Sequence, residues 1–173
     1  MASLSSRGRF AWIPVITVWL GAISGCCNEA TCQSGVGLGG PLTSSETPAR
    51  LKVTGCRNGS CGEARLDTTT THPPNNIVNG RFGLAEGVTV NCSLFDPRSG
   101  PNVGSWEIGI FFAAGDDTDL EDGDEYKVVI VDEDTGTELV HLVKHVDYGE
   151  QQPNGGGFCG PTCDVATLHM PGA

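Results

Sequence analysis

Apolar and polar residues alternate in short runs along most of this chain, and turn residues separate the runs. No segment keeps the 3.6-residue hydrophobic period of an amphipathic helix over a useful length. The pattern therefore predicts strands. We place them near Arg50–Cys56, Cys61–Asp67, Arg81–Leu84, Val88–Phe95, Ser105–Ala113, Glu125–Asp132, Thr137–Tyr148 and Cys163–His169.

Two segments between these strands have the composition of hairpin turns. The clearest runs from Asp132 to Thr137, because Asp and Thr side chains close local hydrogen bonds and Gly136 accepts a positive φ. The other is Arg57-Asn58-Gly59-Ser60, which Cys56 and Cys61 flank. These two cysteines are expected to face each other at the base of a hairpin.

Strands of this length and spacing predict an all-β domain, a single antiparallel β-sandwich of about seven to eight strands over residues 49–170. A domain of that size buries one sizeable core. The expected core residues are Trp106, Phe111, Phe112, Val128, Ile130 and Leu142.

The stretch from Leu120 to Val128 resembles the tyrosine corner of immunoglobulin and fibronectin type III sandwiches. The resemblance implies a structural Tyr126 whose hydroxyl bonds backbone upstream. Trp106 follows Cys92 by 14 residues, which is similar to the spacing from cysteine to core tryptophan in immunoglobulin domains. Val128 stands where those domains have the partner cysteine, so the resemblance implies an Ig-like architecture without the intersheet disulfide.

The amino terminus has the order of an export signal. Arg7 and Arg9 precede an apolar run, Phe10–Ile23, and Ser24 and Gly25 follow it. As a helix the 14-residue run would be about 21 Å long, short of the roughly 30 Å hydrocarbon core. We therefore predict a signal peptide over residues 1–25, with an uncleaved anchor as the alternative.

Ile23-Ser24-Gly25-Cys26 resembles the lipobox of bacterial lipoproteins. The resemblance implies a lipid, carrying acyl chains such as palmitate, on Cys26, and an exported protein anchored in the cell envelope, with the outer membrane favoured over the inner. Cleavage without lipidation is the alternative. Residues 26–48 then read as the lipidated cysteine and a flexible Gly/Ser/Thr tether, since the segment around Gly35–Pro41 lacks apolar periodicity.

The chain is acidic, and its charge restricts its partners. Loss of the leader removes Arg7 and Arg9 and no acid, so the net charge of −11 becomes −13. Such a protein is a poor partner for nucleic acid and is repelled by anionic headgroups. Membrane attachment is therefore expected through the lipid, and a protein or glycan partner stays open.

Eight cysteines in an exported chain indicate disulfides, because the compartment is oxidising. With Cys26 set aside, an odd number remains. We expect two local disulfides, leave the Cys27–Cys32 pair open and expect at least one thiol that is free, buried or paired with another molecule. The predicted disulfides are Cys56–Cys61 and Cys159–Cys163, and the leftover thiol is Cys92.

An acid-rich stretch is the candidate metal site. Carboxylates between strands can supply the oxygens that calcium prefers, although the spacing is not that of an EF-hand. His141, His145 and Asp147 invite a metal interpretation too, but residues four apart on a strand lie about 13 Å apart, so ordinary surface histidines are favoured. The calcium candidates are Asp116, Asp117, Asp119, Glu121, Asp122 and Asp124.

The segment from Cys159 to Cys163 superficially resembles a thioredoxin active site, but it has three residues between its cysteines and no helix follows, which favours a structural bridge. We find no nucleophile elbow, zinc-protease helix or phosphate loop in the sequence. The expectation is a non-catalytic envelope lipoprotein without a cofactor, acting as a structural or binding module. The alternatives are a calcium-dependent adhesion or carbohydrate-binding module and a thiol-disulfide redox protein.

Overall fold

The computed structural model describes residues 32–42, 48–70, 77–95, 106–116, 118–151 and 162–170. Within these ranges the chain forms strands and two short 3-10 turns, Thr68–Thr70 and Ala85–Gly87. The strands, numbered along the chain, are β1 Gly35–Pro41, β2 Arg50–Arg57, β3 Ser60–Asp67, β4 Ile77–Gly83, β5 Thr89–Phe95, β6 Glu107–Ala113, β7 Asp124–Asp132, β8 Glu138–Val146, β9 Gly149–Gln151 and β10 Cys163–His169.

The strands form two sheets. The six-stranded sheet has the order β4-β5-β6-β1-β10-β9, and the four-stranded sheet has the order β3-β2-β7-β8. Neighbouring strands are antiparallel except β1 and β10, which run parallel. The predicted all-β class is confirmed, whereas a purely antiparallel arrangement is wrong at this one pair.

The inner faces of the two sheets contribute to one hydrophobic core. Phe112 of the six-stranded sheet and Tyr126 of the four-stranded sheet meet edge to face, with ring centroids 5.0 Å apart. A Cβ at Gly55 would lie 3.0 Å from the Phe112 ring, so this glycine allows the sheets to approach closely.

The core prediction is confirmed for four of its six residues: Phe112, Val128, Ile130 and Leu142 are buried. Trp106 is only partly buried and packs against the core from its edge. The prediction that Phe111 belongs to the core is wrong, because successive side chains on a strand point to opposite faces. With Phe112 turned inward, Phe111 lies on the outer face of the six-stranded sheet.

All eight predicted strands are present, and β4 is the one whose position differs most, since it begins at Ile77 and ends at Gly83. Two strands were not predicted, β1 and the three-residue β9. The described residues therefore form ten strands where we expected seven or eight.

Strand β1 corrects the predicted tether. The segment Gly35–Pro41 pairs with β6 on one side and β10 on the other, near the middle of the six-stranded sheet. Its side-chain pattern is Gly-Val-Gly-Leu-Gly, in which Val36 and Leu38 are buried. The alternation needed for a strand is thus present, but glycine replaces every polar residue. The ordered domain begins well before residue 49.

Both predicted turns are confirmed. Asn58 and Gly59 have φ of 48° and 81° and connect β2 to β3, the backbone of a type I′ hairpin turn. In the other turn, Gly136 has φ of 71°, and its N–H donates to the Asp132 carbonyl at 2.8 Å.

The relations implied by the immunoglobulin resemblance differ in the structure. Cys92 lies on β5, and Trp106 immediately precedes β6, which pairs with β5 in the same sheet. In immunoglobulin domains the corresponding strands belong to opposite sheets. Tyr126 is buried, but its hydroxyl bonds the Tyr148 hydroxyl at 2.7 Å rather than the upstream backbone that the resemblance implied.

Candidate functional site

One end of the domain gathers most of the polar side chains that the sequence singled out. We call it the Cys32 end, because β1 and β10 both begin there and a disulfide joins Cys32 to Cys163. Ser34 bonds both neighbouring segments: its carbonyl accepts the Ala114 N–H at 2.9 Å, and its hydroxyl accepts the Asp164 N–H at 3.1 Å.

Arg57, the last residue of β2, lies at the centre of this end. Its side chain is 4% exposed and so is that of Asp124, its partner at the start of β7. The Arg57 Nε and Nη2 both donate to Asp124 Oδ2, at 3.0 and 2.7 Å. Arg57 also donates to the Glu86 carboxylate at 3.0 Å and to the Asp119 carbonyl.

The Asp124 carboxylate is satisfied from several sides. Asn58 Nδ2 donates to Oδ1 at 2.7 Å, and the Tyr148 hydroxyl donates to Oδ2 at 2.9 Å. Because the Tyr148 hydroxyl donates its proton to the hydrogen bond with Asp124, the Tyr126 hydroxyl must be the donor in its bond to Tyr148. The result is a buried network from Arg57 through Asp124 and Tyr148 to Tyr126.

The pKa values of Asp124, Tyr126 and Tyr148 are shifted further from neutral pH than the usual values of these groups. Burial of Asp124 alone would raise its pKa, but the hydrogen bonds from Asn58, Arg57 and Tyr148 outweigh burial and lower it. Burial raises the pKa of Tyr126. Burial also raises the pKa of Tyr148, and the hydrogen bonds to Tyr126 and Asp124 raise it further. None of the three groups is poised to exchange a proton near pH 7.

Glu86 extends the network to the turn between β4 and β5. It has a φ of 62°, unusual for a residue with a side chain. Its carboxylate holds Arg57, and its carbonyl accepts the Thr118 hydroxyl at 2.8 Å. These two contacts fix the turn against the acid-rich loop before β7.

The structure describes five of the six calcium candidates, and two of them already have partners within the protein. Asp124 is the internal partner of Arg57, and the Asp122 carboxylate accepts the Tyr148 N–H at 2.9 Å. Asp116 and Asp119 instead line a cleft of about 640 Å³ beside Cys32 and Asp164. Asp119 also lines a second cleft, of about 290 Å³, which lies over Arg57 and which Glu121 and Asp124 line too. Among the described residues, which exclude Asp117, no three His, Cys, Asp or Glu side chains form a metal-binding group.

The cysteines are paired partly as predicted. The Cys56–Cys61 disulfide is confirmed. Cys163 pairs with Cys32, 131 residues away, so the predicted Cys159–Cys163 bridge and the alternative Cys27–Cys32 bridge are both wrong. The parallel pairing of β1 with β10 brings these two distant cysteines together. Cys26, Cys27 and Cys159 lie outside the described residues.

Cys92 has no disulfide partner, as predicted, and it is buried. Burial raises the pKa of its thiol to about 12, which leaves almost no thiolate at neutral pH. With Cys163 held by Cys32, the thioredoxin-like interpretation loses one of its two sulfurs.

The two histidines of β8 have separate partners. His141 Nδ1 lies 3.1 Å from Glu138 Oε1, and His145 Nδ1 lies 3.0 Å from the Gly123 carbonyl. Asp147 is exposed beyond the end of the strand. This arrangement agrees with ordinary surface histidines.

Sequence reasoning missed the Arg57 network. The partners of Arg57 lie 29 to 67 residues away in the sequence, so no local spacing of residues predicts these contacts. One signal was available: Arg57 continues the inward alternation of Leu51 and Val53, and a buried arginine requires a carboxylate.

Comparison with known proteins gives no relative from which a function could be carried over. No family model, curated protein or solved structure matches the chain. Along the described ranges, no helix is long and apolar enough to cross a membrane.

Proposed function

We propose that this protein is an exported lipoprotein, anchored through Cys26, whose β-sandwich acts as a non-catalytic structural or binding module at the cell-envelope surface. The observation that carries the proposal is the lipobox-like Ile23-Ser24-Gly25-Cys26 directly after an export leader. The thiol of Cys26 would take the lipid, and small residues before it give a membrane peptidase access to the backbone.

The disulfides support export. The two bridges that the described residues form are typical of proteins that mature in an oxidising compartment, because cytosolic reductants keep thiols reduced. The Cys32–Cys163 bridge closes a loop across nearly the whole domain, so its formation would follow export and stabilise the folded module.

The same bridge shortens the expected tether. Only residues 27–31 separate Cys26 from the disulfide, and six extended peptide steps reach about 20 Å. The Cys32 end would therefore face the bilayer at close range. Because this end carries the acid-rich loop, anionic headgroups would repel it, and acyl chains would have to supply the attachment.

A binding role is favoured over catalysis by the state of the buried network. Arg57 and Tyr148 both donate to Asp124, and the pKa values of Asp124 and Tyr148 are shifted further from neutral pH, downward for Asp124 and upward for Tyr148. Side chains arranged in this way stabilise the end of a sandwich and are poorly suited to proton transfer near pH 7.

Metabolic labelling with palmitate tests the proposal, and the chain supplies its own matched control. The wild-type precursor, Cys26→Ser and Cys27→Ser are expressed in a bacterium that processes lipoproteins. Wild type and Cys27→Ser should carry label in the membrane fraction, and Cys26→Ser should carry none. Label retained by Cys26→Ser, or absent from the wild type, would overturn the proposal.

A further inference from the structure

The outer face of the six-stranded sheet carries a groove of about 460 Å³, away from the Cys32 end. Gly37 and Gly39 of β1 and Gly109 of β6 form its floor, where backbone replaces side chains. Phe95 and Phe111 form its walls. The Phe95 ring lies 3.7 Å from the place of a Cβ on Gly109, and the Phe111 ring lies 3.9 Å from that on Gly37.

The strand register sets the spacing of the two aromatic residues along the groove. Phe95 of β5 is paired with Glu107 of β6, and Phe111 lies four residues after Glu107 along β6. At 3.3 Å per residue, the backbones of the two aromatic residues are about 13 Å apart along the strand direction, and the Phe95 ring reaches Gly109, halfway along that distance. The row between them runs across the sheet through Gly39, Gly109 and Ser93.

Neutral hydrogen-bonding side chains border the groove. On one side lie Asn91 and Ser93, and the Ser93 hydroxyl donates to the Asn79 amide oxygen at 2.8 Å, which leaves the Asn79 amino group free to donate. On the other side, Thr167 and His169 of β10 are the register partners of the floor glycines in β1.

The groove is nearly uncharged in a strongly acidic protein. Among the described outward positions of β4, β5, β6 and β1, only Arg81 and Glu107 are charged, and Glu107 is 8% exposed. The net charge of −11 repels an anionic ligand, and the floor offers no carboxylate to a cationic one. The complementary ligand is therefore neutral.

We propose that this groove binds a neutral, extended oligosaccharide. The C–H faces of sugar rings would pack against Phe95 and Phe111, whose ring faces carry partial negative charge. Sugar hydroxyls would bond Asn91, Ser93 and Thr167. An apolar groove with a few placed polar groups has the general composition of a ligand site. The inference rests on the proposed binding role, but it does not depend on the lipid at Cys26.

Titration calorimetry on the full-length protein, extracted from membranes in mild detergent, tests this inference. The probes are cellohexaose, xylohexaose and chitohexaose, with hexagalacturonate as the anionic control. Gly39→Val fills the floor, where its Cβ meets only the Ile108 carbonyl at 3.7 Å. Gly83→Val is the matched control, because it lies on the same outer face in β4, outside the groove, with nothing within 4 Å of its Cβ.

We expect the wild type to bind at least one neutral probe and to ignore the anionic one. Gly39→Val should bind at least tenfold more weakly, and Gly83→Val should bind as the wild type does. If the melting temperature of Gly39→Val is well below that of Gly83→Val, Asn91→Ala is used as the test variant in its place. We expect the same tenfold loss of affinity for the neutral probe.

Three results would overturn the inference. The first is that no neutral probe binds the wild type at millimolar concentration, and the second is that both groove variants bind the probe as the wild type does. The third is that the wild type is a dimer that binds no sugar and Gly39→Val changes only its oligomeric state. A protein that lacks the lipid but binds sugar would refute the anchoring proposal alone.

Discussion

The two arginines at the ends of strand β2 form ion pairs in opposite environments. Arg50 has a side chain that is 60% exposed and pairs with Asp134 in a hairpin turn, whereas the Arg57 side chain is 4% exposed and pairs with Asp124. The two arginines are seven residues apart, and an odd separation puts them on opposite faces of the strand.

This difference between the two ends of the domain has an energetic meaning. An exposed pair contributes little, because water and salt screen it. A buried pair is retained only when further hydrogen bonds satisfy both groups, and Asn58 and Tyr148 supply them to Asp124. The Cys32 end is therefore specified by a polar network and a long-range disulfide, and the far end by an ordinary hairpin.

Removal of the long-range disulfide should have the largest effect. Cys32→Ser with Cys163→Ser opens a loop of 131 residues, and chain entropy predicts a loss of about 5 kcal/mol in the free energy of unfolding. Cys56→Ser with Cys61→Ser opens a loop of only 5 residues and should cost about 2 kcal/mol. Urea denaturation of both double variants measures the difference, and equal losses would contradict it.

Asp124→Asn should have the next largest effect. The substitution keeps the shape of the side chain but removes the buried counterion of Arg57 and leaves only the exposed Glu86 carboxylate, so we expect a loss of about 3–5 kcal/mol in the free energy of unfolding. Urea denaturation with the disulfides intact is the measurement. A loss below about 1 kcal/mol would mean that the buried pair behaves like an exposed one.

Acid should weaken the Cys32 end through the same carboxylate. The pKa of Asp124 is lower in the folded protein than in the unfolded chain, so its stabilisation is complete above the unfolded value of about 3.9 and is lost as pH falls through the folded value. The difference in unfolding free energy between wild type and Asp124→Asn should therefore shrink from pH 5 to pH 2. A difference independent of pH would refute the lowered pKa.

The smallest effect is expected at an exposed pair outside the network. Glu133 accepts a hydrogen bond from Arg65 at 2.8 Å, but the Arg65 side chain is 69% exposed. Glu133→Gln should cost less than about 1 kcal/mol, and added salt should reduce even that. A loss comparable to that of Asp124→Asn would remove the contrast between the two environments.

Much of the fold was predictable because side-chain alternation is a local signal. It located β2, β5, β7 and β10 to within a residue or two. It failed at β1, where glycines occupy the outward positions and only Val36 and Leu38 alternate with them. It also failed to choose between Phe111 and Phe112, since two adjacent aromatic residues fit either register.

The polar site was less predictable because its contacts are long-range. Asn58 was expected only to form a turn, and Tyr126 was expected to bond nearby backbone, yet both belong to the network around Asp124. The partner of Cys163 was missed for the same reason, since the pairing of β1 with β10 had no signature in the spacing of the cysteines.

Mass spectrometry of the amino-terminal peptide, from protein extracted from membranes, tests attachment through Cys26 most directly. We predict a mature chain that begins at Cys26 and carries a diacylglyceryl group on its sulfur. A chain that begins at another residue, or a Cys26 with an unmodified thiol, would contradict the proposed anchor.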